Sequence, residues 1–253
     1  MSSRLPFLFP ASNEDITTRR ARILTRLLSM DEGFRTIPVR SVRRSTLIEM
    51  LRLYDEIFLG SYIARSYQSL EVTLSTRMTS CAGKFIFKRI GTGIPDTGVI
   101  RMSGDFLFRL KKGPFELNGL RADTPQEAFL IVFEHELCHA IEAAIDGKPG
   151  HSKRFMSLAG GLFGHTAFRH SLPTQKSEAV DAGFRVGCRV AFPYQGERLV
   201  GVISSLGRTA SVMIPDRNGA YTDRAGRRYA RYSVPYSRLE PVNSSAPVEF
   251  DHL

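Results

Sequence analysis

The sequence predicts an α+β protein: helices packed on a small sheet around one central helix, then a small all-β module of SH3-like barrel type. Three observations carry this. Apolar residues recur with helical period over 12–58 and again over 124–146. Between those stretches, three short runs alternate apolar and polar with period two. From Val186 onward the pattern changes to five short strand-like runs separated by turn residues. With 253 residues, 42% hydrophobic and 24% charged, the chain has the composition of a globular protein and room for a second, smaller domain.

Residues 1–11 read as a loose tail. Ser12 with Asp15 marks an acidic helix start, and Ile16, Ile23, Leu24, Leu27 and Leu28 form its apolar stripe, which Gly33 is expected to end. Arg19, Arg20, Arg22 and Arg26 fill the rest of this helix and read as a solvated face, with DNA contact as the alternative. A basic connector covers 35–44. Thr46-x-x-Glu49 then reads as a capping box opening a second helix with Leu47, Leu51, Tyr54, Ile57 and Phe58 on its apolar side.

Three strand candidates follow: Leu70, Val72 and Leu74 alternating with Glu71, Thr73 and Ser75; Phe85 and Phe87 alternating with Lys84 and Lys88; and 99–103 after the turn-rich 91–98. A short apolar piece at 106–110 leads into a polar loop around Lys111, Lys112, Gly113 and Pro114. The central helix has defined ends. Thr124 is its cap, Pro125 its first residue and Glu127 the third member of a capping box; Gly147 and Pro149 stop it. A further helical run holds Met156, Leu158 and Leu162 and closes at Gly164-His165. Residues 171–184 read as a linker, 185–242 as the barrel, with strands at 188–192, 198–203, 208–214, 227–232 and from 234, and 243–253 as a flexible tail.

The central helix carries His135-Glu136-Leu137-Cys138-His139, an H-E-x-x-H. Helix residues four apart lie on one face with Cβ atoms about 5–6 Å apart, so His135 and His139 can share one metal ion. Glu136 lies about 100° further round, where it can act on a water without being a ligand. Leu130, Phe133, Leu137, Ile141 and Ala144 fall on the opposite side and are expected to pack. This is the arrangement of a zinc-dependent hydrolase, with two alternatives: histidines on an amphipathic surface, or a structural zinc. A catalytic zinc takes three protein ligands and keeps one position open. His151, one short loop past the helix, is the first candidate for the third ligand; His165, His170 and Glu178 are its rivals. Cys138 reads as a packed small residue.

His135-Glu136-Leu137-Cys138-His139 followed by Gly150-His151-Ser152-Lys153-Arg154-Phe155 resembles the SprT-like (Spartan-type) metalloprotease domain, where a third histidine stands in a Gly-His-x-x-x-Phe setting. Residues 54–60 and 79–84 are similar to its upstream helix end and strand. The resemblance implies a zincin-like metalloprotease domain over 39–170, preceded by an N-terminal tail and basic helix at 1–38. It implies Zn2+ held by His135, His139 and His151, Glu136 as the catalytic residue, and cleavage of proteins bound or crosslinked to DNA. The cysteine zinc ribbon that often follows that domain is missing, and the β-rich basic module stands in its place.

A formal net charge of +10, mostly through arginine, points to a polyanionic partner such as single- or double-stranded DNA. In the last module Arg227, Arg228, Tyr229, Arg231 and Tyr232 interleave cations with aromatics and form the candidate nucleic-acid-binding set. Cys81, Cys138 and Cys188 are widely spaced and argue for a reducing compartment. The apolar run 5–10 is too short and proline-broken for a secretory signal, and no stretch approaches membrane-spanning length, so a cytoplasmic protein without a membrane partner is expected. The expected function is a zinc-dependent endopeptidase acting on protein substrates, DNA-bound ones included. The alternatives are a nucleic-acid-binding protein with a structural zinc and a general intracellular metallopeptidase indifferent to DNA.

Overall fold

A computed structural model describes residues 9–10, 12–79, 81–88, 97–111, 113–167 and 175–242. It is an α+β protein dividing into two compact units, Met1–Leu172 and Pro173–Leu253. The expected tail at 243–253 and the turn at 91–96 lie outside the described residues.

The first unit opens with α1 (Asn13–Met30), capped by Ser12, whose side chain accepts from the Asp15 N–H. A four-residue α2 (Glu32–Arg35) follows, so Gly33 sits inside a helical turn and does not end the preceding helix. Next come α3 (Arg44–Leu59), a short α4 (Tyr62–Ser66) not foreseen in the sequence, and strands β1 (Ser69–Ser75), β2 (Gly83–Lys88) and β3 (Thr97–Ser103). The strands form one sheet in the order β1-β3-β2, with β1 parallel and β2 antiparallel to β3. Their alternation matches the pleat: Phe85, Ile100 and Val72 are buried, while Lys84, Ile86 and Arg101 face out.

The apolar piece before the polar loop is a helical turn, α5 (Gly104–Arg109), and the loop closes as a hairpin of β4 (Phe115–Leu117) and β5 (Leu120–Ala122). Its turn is Asn118-Gly119, both at positive φ (51° and 76°), the conformation Asn-Gly favours and the local signal that could have revealed the hairpin. The long α6 (Pro125–Asp146) has the expected capping box, with Thr124 accepting from the Glu127 N–H and Glu127 reaching back to the cap. It ends at Gly147 with φ 77°, a left-handed residue that leaves the chain free to turn back at once. The last helix of the unit is α7 (Lys153–Phe163). α6 packs against α1, α7, β2 and β3. Burial covers nearly its whole circumference, not only the face opposite His135.

The second unit starts with α8 (Gln175–Asp181), a helix where a linker was expected. Then come β6 (Arg189–Tyr194), β7 (Glu197–Leu206), β8 (Ala210–Pro215), β9 (Tyr221–Thr222), β10 (Arg228–Val234), a 3-10 turn at Tyr236–Arg238, and β11 (Glu240–Pro241). They form one antiparallel six-stranded sheet in the order β11-β6-β7-β8-β10-β9 around a core that includes Val190, Phe192, Ile203, Val212 and Val234. Among the described residues no ladder joins β11 to β9, so the sheet does not close as a barrel.

Two buried carboxylates tie the first unit together. Asp31 accepts from the Phe34 N–H (3.3 Å), the Arg43 N–H (2.8 Å) and the Thr46 hydroxyl (2.6 Å). Thr46 therefore serves Asp31, and the capping box expected at the start of α3 does not form; the helix begins at Arg44 without a side-chain cap. Glu134 on α6 is fully enclosed. It receives Arg20 of α1 in a two-pronged pair (Nε to Oε1, 2.7 Å; NH2 to Oε2, 2.9 Å), the Tyr54 hydroxyl of α3 (2.7 Å), and His165 after α7 (Nε2 to Oε2, 3.0 Å). Arg20 also donates to the Phe163 carbonyl at 2.8 Å. Arg20 is thus part of the interior, not of the solvated face on which the sequence pattern placed it.

Removing one member of a buried pair strands the other charge, which costs about 3–5 kcal/mol. Arg20→Ala should lower stability by about that amount in urea unfolding, whereas Arg22→Ala, exposed on the same helix, should stay within about 0.5 kcal/mol of the native chain. Equal effects of the two would contradict the buried network.

Candidate metal centre

α6 supplies His135, Glu136 and His139, and the turn after Gly147 returns His151 to the same place. One ring nitrogen from each of the three histidines lies within 4.8 Å of the others, so the group could hold a metal ion. His135 Nε2 and His151 Nε2 are 3.2 Å apart. A tetrahedral ion at about 2.0–2.1 Å from imidazole nitrogens separates them by about 3.3 Å, so this pair already stands at the spacing a single ion requires. Phe155 of α7 forms the floor. Its ring lies 4.9 Å from His135, 4.5 Å from His139 and 4.8 Å from His151. Burial is graded: His135 is buried, His139 half-buried and His151 exposed, so the cluster opens to solvent on the His151 side.

Electrostatics suit a neutral donor at His139. Burial first, and then His151 nearby, lowers His139 to about 4, with the Gly150 backbone acting against the shift. It is therefore an uncharged imidazole near neutrality, the form that binds metal. Cys138 is fully buried, and desolvation raises its thiol well above the usual range, which keeps it out of the ligand set.

Glu136 turns toward β2, which packs against α6. Burial raises its carboxyl to about 7, opposed by a hydrogen bond from the Phe85 backbone. Its side chain lies directly against the strand at Gly83, where an added Cβ would stand 2.6 Å from Glu136 Cγ and 2.7 Å from Oε1. Only glycine leaves room there. Neither Gly83 nor the interior role of Glu134 was drawn from the sequence. A signal for the buried carboxylates was present: between Pro125 and Gly147 there is no lysine or arginine, yet Glu134, Glu136 and Glu142 interrupt an apolar helix. Such carboxylates need partners from elsewhere.

Of the rivals for the third position, one has another partner. His165 is committed to Glu134. Glu178 lies on α8 in the second unit and is not among the residues brought together at the cluster. His170 lies outside the described residues. The five residues of the candidate nucleic-acid set also separate. Arg227 pairs with Asp223 (2.7 Å), and buried Tyr229 donates to the same carboxylate (3.0 Å). The Arg231 guanidinium lies 4.6 Å over the Tyr221 ring. Half-buried Tyr232 packs against Phe192 (5.6 Å) and Tyr194 (5.1 Å), on the same strand face as exposed Arg228.

Residues 47–170 match the model of the SprT-like family. Among curated proteins none matches the chain. The matched stretch contains all three clustered histidines and Glu136 but begins after α1.

The geometry predicts one divalent ion per chain. In metal analysis after dialysis, His135→Ala and His139→Ala should each abolish stoichiometric zinc and His151→Ala should weaken it, while His165→Ala should leave the stoichiometry unchanged. Loss of zinc in His165→Ala with retention in His151→Ala would reverse the assignment.

Proposed function

We propose that this chain, whose residues 47–170 form a SprT-like domain, is a zinc-dependent endopeptidase with His135, His139 and His151 as ligands and Glu136 as the catalytic residue. The observation that carries the reading is the convergence of three histidine nitrogens within 4.8 Å beside a buried glutamate one residue from the first of them. Three imidazoles, open to solvent on one side, fit zinc in its catalytic rather than its closed structural form. Zinc bound there supplies Lewis acidity, polarising a peptide carbonyl and making water acidic near pH 7.

Glu136 does the proton work. Its carboxylate takes a proton from the attacking water as the oxygen bonds to the carbonyl carbon, then gives that proton to the amine nitrogen as the carbon–nitrogen bond breaks. A carboxyl poised near neutrality can do both. β2 is an edge of its sheet, and an extended substrate segment pairing with it would run past the side chain that Gly83 makes room for. Burial of Glu136 between α6 and β2 limits its rotation and keeps it from neutralising itself on a distant partner.

Proteins held on DNA are the substrate class we favour, in a cytoplasmic setting. Support comes from the net charge of +10 and from exposed Arg228 and Arg231 in the second unit. We read that unit as an SH3-like module. Its 3-10 turn at Tyr236–Arg238 precedes a last short strand that returns to pair with the first, although closure is incomplete. Among the described residues no helix is long and apolar enough to cross a membrane.

A histone or casein digestion tests the reading. Glu136→Gln should retain zinc and lose about 10²–10⁴-fold in cleavage, the usual contribution of a general base. Gly83→Ala, which displaces the same carboxylate, should also retain zinc while kcat falls about 100-fold, the cost of misplacing a reacting group by about 1 Å. With DNA added, cleavage should rise, and the effect should fade steeply with salt. Activity indifferent to DNA would leave a general metallopeptidase. Zinc retention without any cleavage by the native chain would leave a structural metal site.

A further inference from the structure

We propose that Glu142 is a positioning residue of the metal centre, holding the chain on both sides of His151 and so fixing where the third imidazole stands. The inference rests on the metal-binding part of the reading above and concerns a residue outside H-E-x-x-H.

Glu142 lies three residues beyond His139 on α6 and is 2% exposed. A carboxylate in that setting must be met by donors, and α6 itself carries no cation. Its two oxygens are met by the returning turn. Oε2 accepts from the Gly150 N–H at 2.6 Å, and Oε1 accepts from the Ser152 hydroxyl in a short contact. These are the residues immediately before and after His151.

The link continues into the floor of the site. A serine hydroxyl has one proton to donate and two lone pairs to accept with. Ser152 donates its proton to Glu142 and accepts from the Arg154 and Phe155 N–H groups (3.1 and 3.3 Å), capping α7. Phe155 is the residue whose ring touches all three histidines. One buried carboxylate therefore sets both the exposed third ligand and the ring beneath it. The neighbouring pair Arg154–Asp146 (2.8 Å) spans the same turn but is about one-third exposed on each side, where an ion pair contributes little. His151 is exposed and sits on a turn, unlike His135 and His139, which their helix holds. Its placement depends most on what flanks it.

The test is the zinc dissociation constant of the full chain, measured by competition with a chromophoric chelator, in a double-mutant cycle. Glu142→Ala should weaken zinc about 10–100-fold, the usual effect of losing a group that orients a ligand. In a His151→Ala background the same change should have less than about a two-fold effect, because the ligand through which it acts is gone. Glu142→Gln, which keeps an acceptor for the Gly150 N–H, should remain within a few-fold of the native chain. Should Glu142→Ala fail to fold, Glu142→Asp runs the same cycle. It keeps the charge but withdraws it by one methylene from both donors, and it should also weaken zinc only when His151 is present. Equal weakening in both backgrounds overturns the positioning role and makes Glu142 a general stabiliser. Zinc binding without proteolysis would overturn the endopeptidase reading and leave this role standing. A native chain that binds no zinc would overturn both.

Discussion

A helix buried on nearly all sides that must still carry charge is the constraint behind the first unit. α6 contributes Leu130, Phe133, Leu137 and Ile141 to the core, yet Glu134 sits in that interior with no exposure at all. An uncompensated carboxylate there would cost several kcal/mol. The fold answers by sending donors from three separate parts of the chain: Arg20 from α1, Tyr54 from α3, and His165 from the segment after α7. Those contacts fix the axial position and rotation of α6 one residue before His135. The two histidines of the helix inherit their placement from this cluster.

Three glutamates on one helix then acquire three different characters from their surroundings. Burial alone would raise Glu134, but Arg20 foremost and His165 after it hold it below the usual carboxylate range. It stays charged and serves the scaffold. Glu136, also buried, meets among the described residues a backbone donor at Phe85 and is raised to about 7. Glu142 spends its two oxygens on Gly150 and Ser152. Residue type is the same in all three cases, and the division of labour comes from which side of α6 each occupies. The cationic partner goes to Glu134, while Glu136 lies against β2 at Gly83 and Phe85. Divergent environments of this kind mark out acid–base roles in active sites generally.

What could be read from the sequence was what depends on near neighbours. The capping box Thr124/Glu127, the stop at Gly147 and the shared face of His135 and His139 are all set within one or two helical turns, and the structure places them as expected. The sheet alternation of 70–75, 85–88 and 99–103 was equally local. What was misread involves partners distant in the chain. Arg20 looked like its solvated neighbours because its carboxylate is 114 residues away. Thr46 has the spacing of a helix cap with Glu49, but Asp31, 15 residues earlier, takes its hydroxyl instead. The alternation at 227–232 interleaves cations with aromatics along one strand. Strand geometry puts Tyr229 and Arg231 on one face and Arg228 and Tyr232 on the other, and Asp223 captures Arg227 and Tyr229 together.

The same distant contacts bear on how much chain the domain needs. The family match begins at residue 47, and composition suggested a separate basic segment ending at 38. Yet Ile16, Ile23 and Leu27 of α1 are buried in the same core as Phe133 and Leu137 of α6. Asp31 stitches the α1–α2 junction to the start of α3. Among the described residues, Arg20 is the one arginine or lysine paired with Glu134, beside the His165 ring. Deleting α1 would expose the apolar side of α3 and leave Glu134 with a buried charge and no permanent counter-ion. A chain trimmed to the family boundaries would keep every proposed ligand and the proposed catalytic residue while losing what holds their helix in register. The compact unit, physically defined, therefore starts with α1, and the arginines that look like an N-terminal basic face include one that pairs with the buried Glu134 of α6.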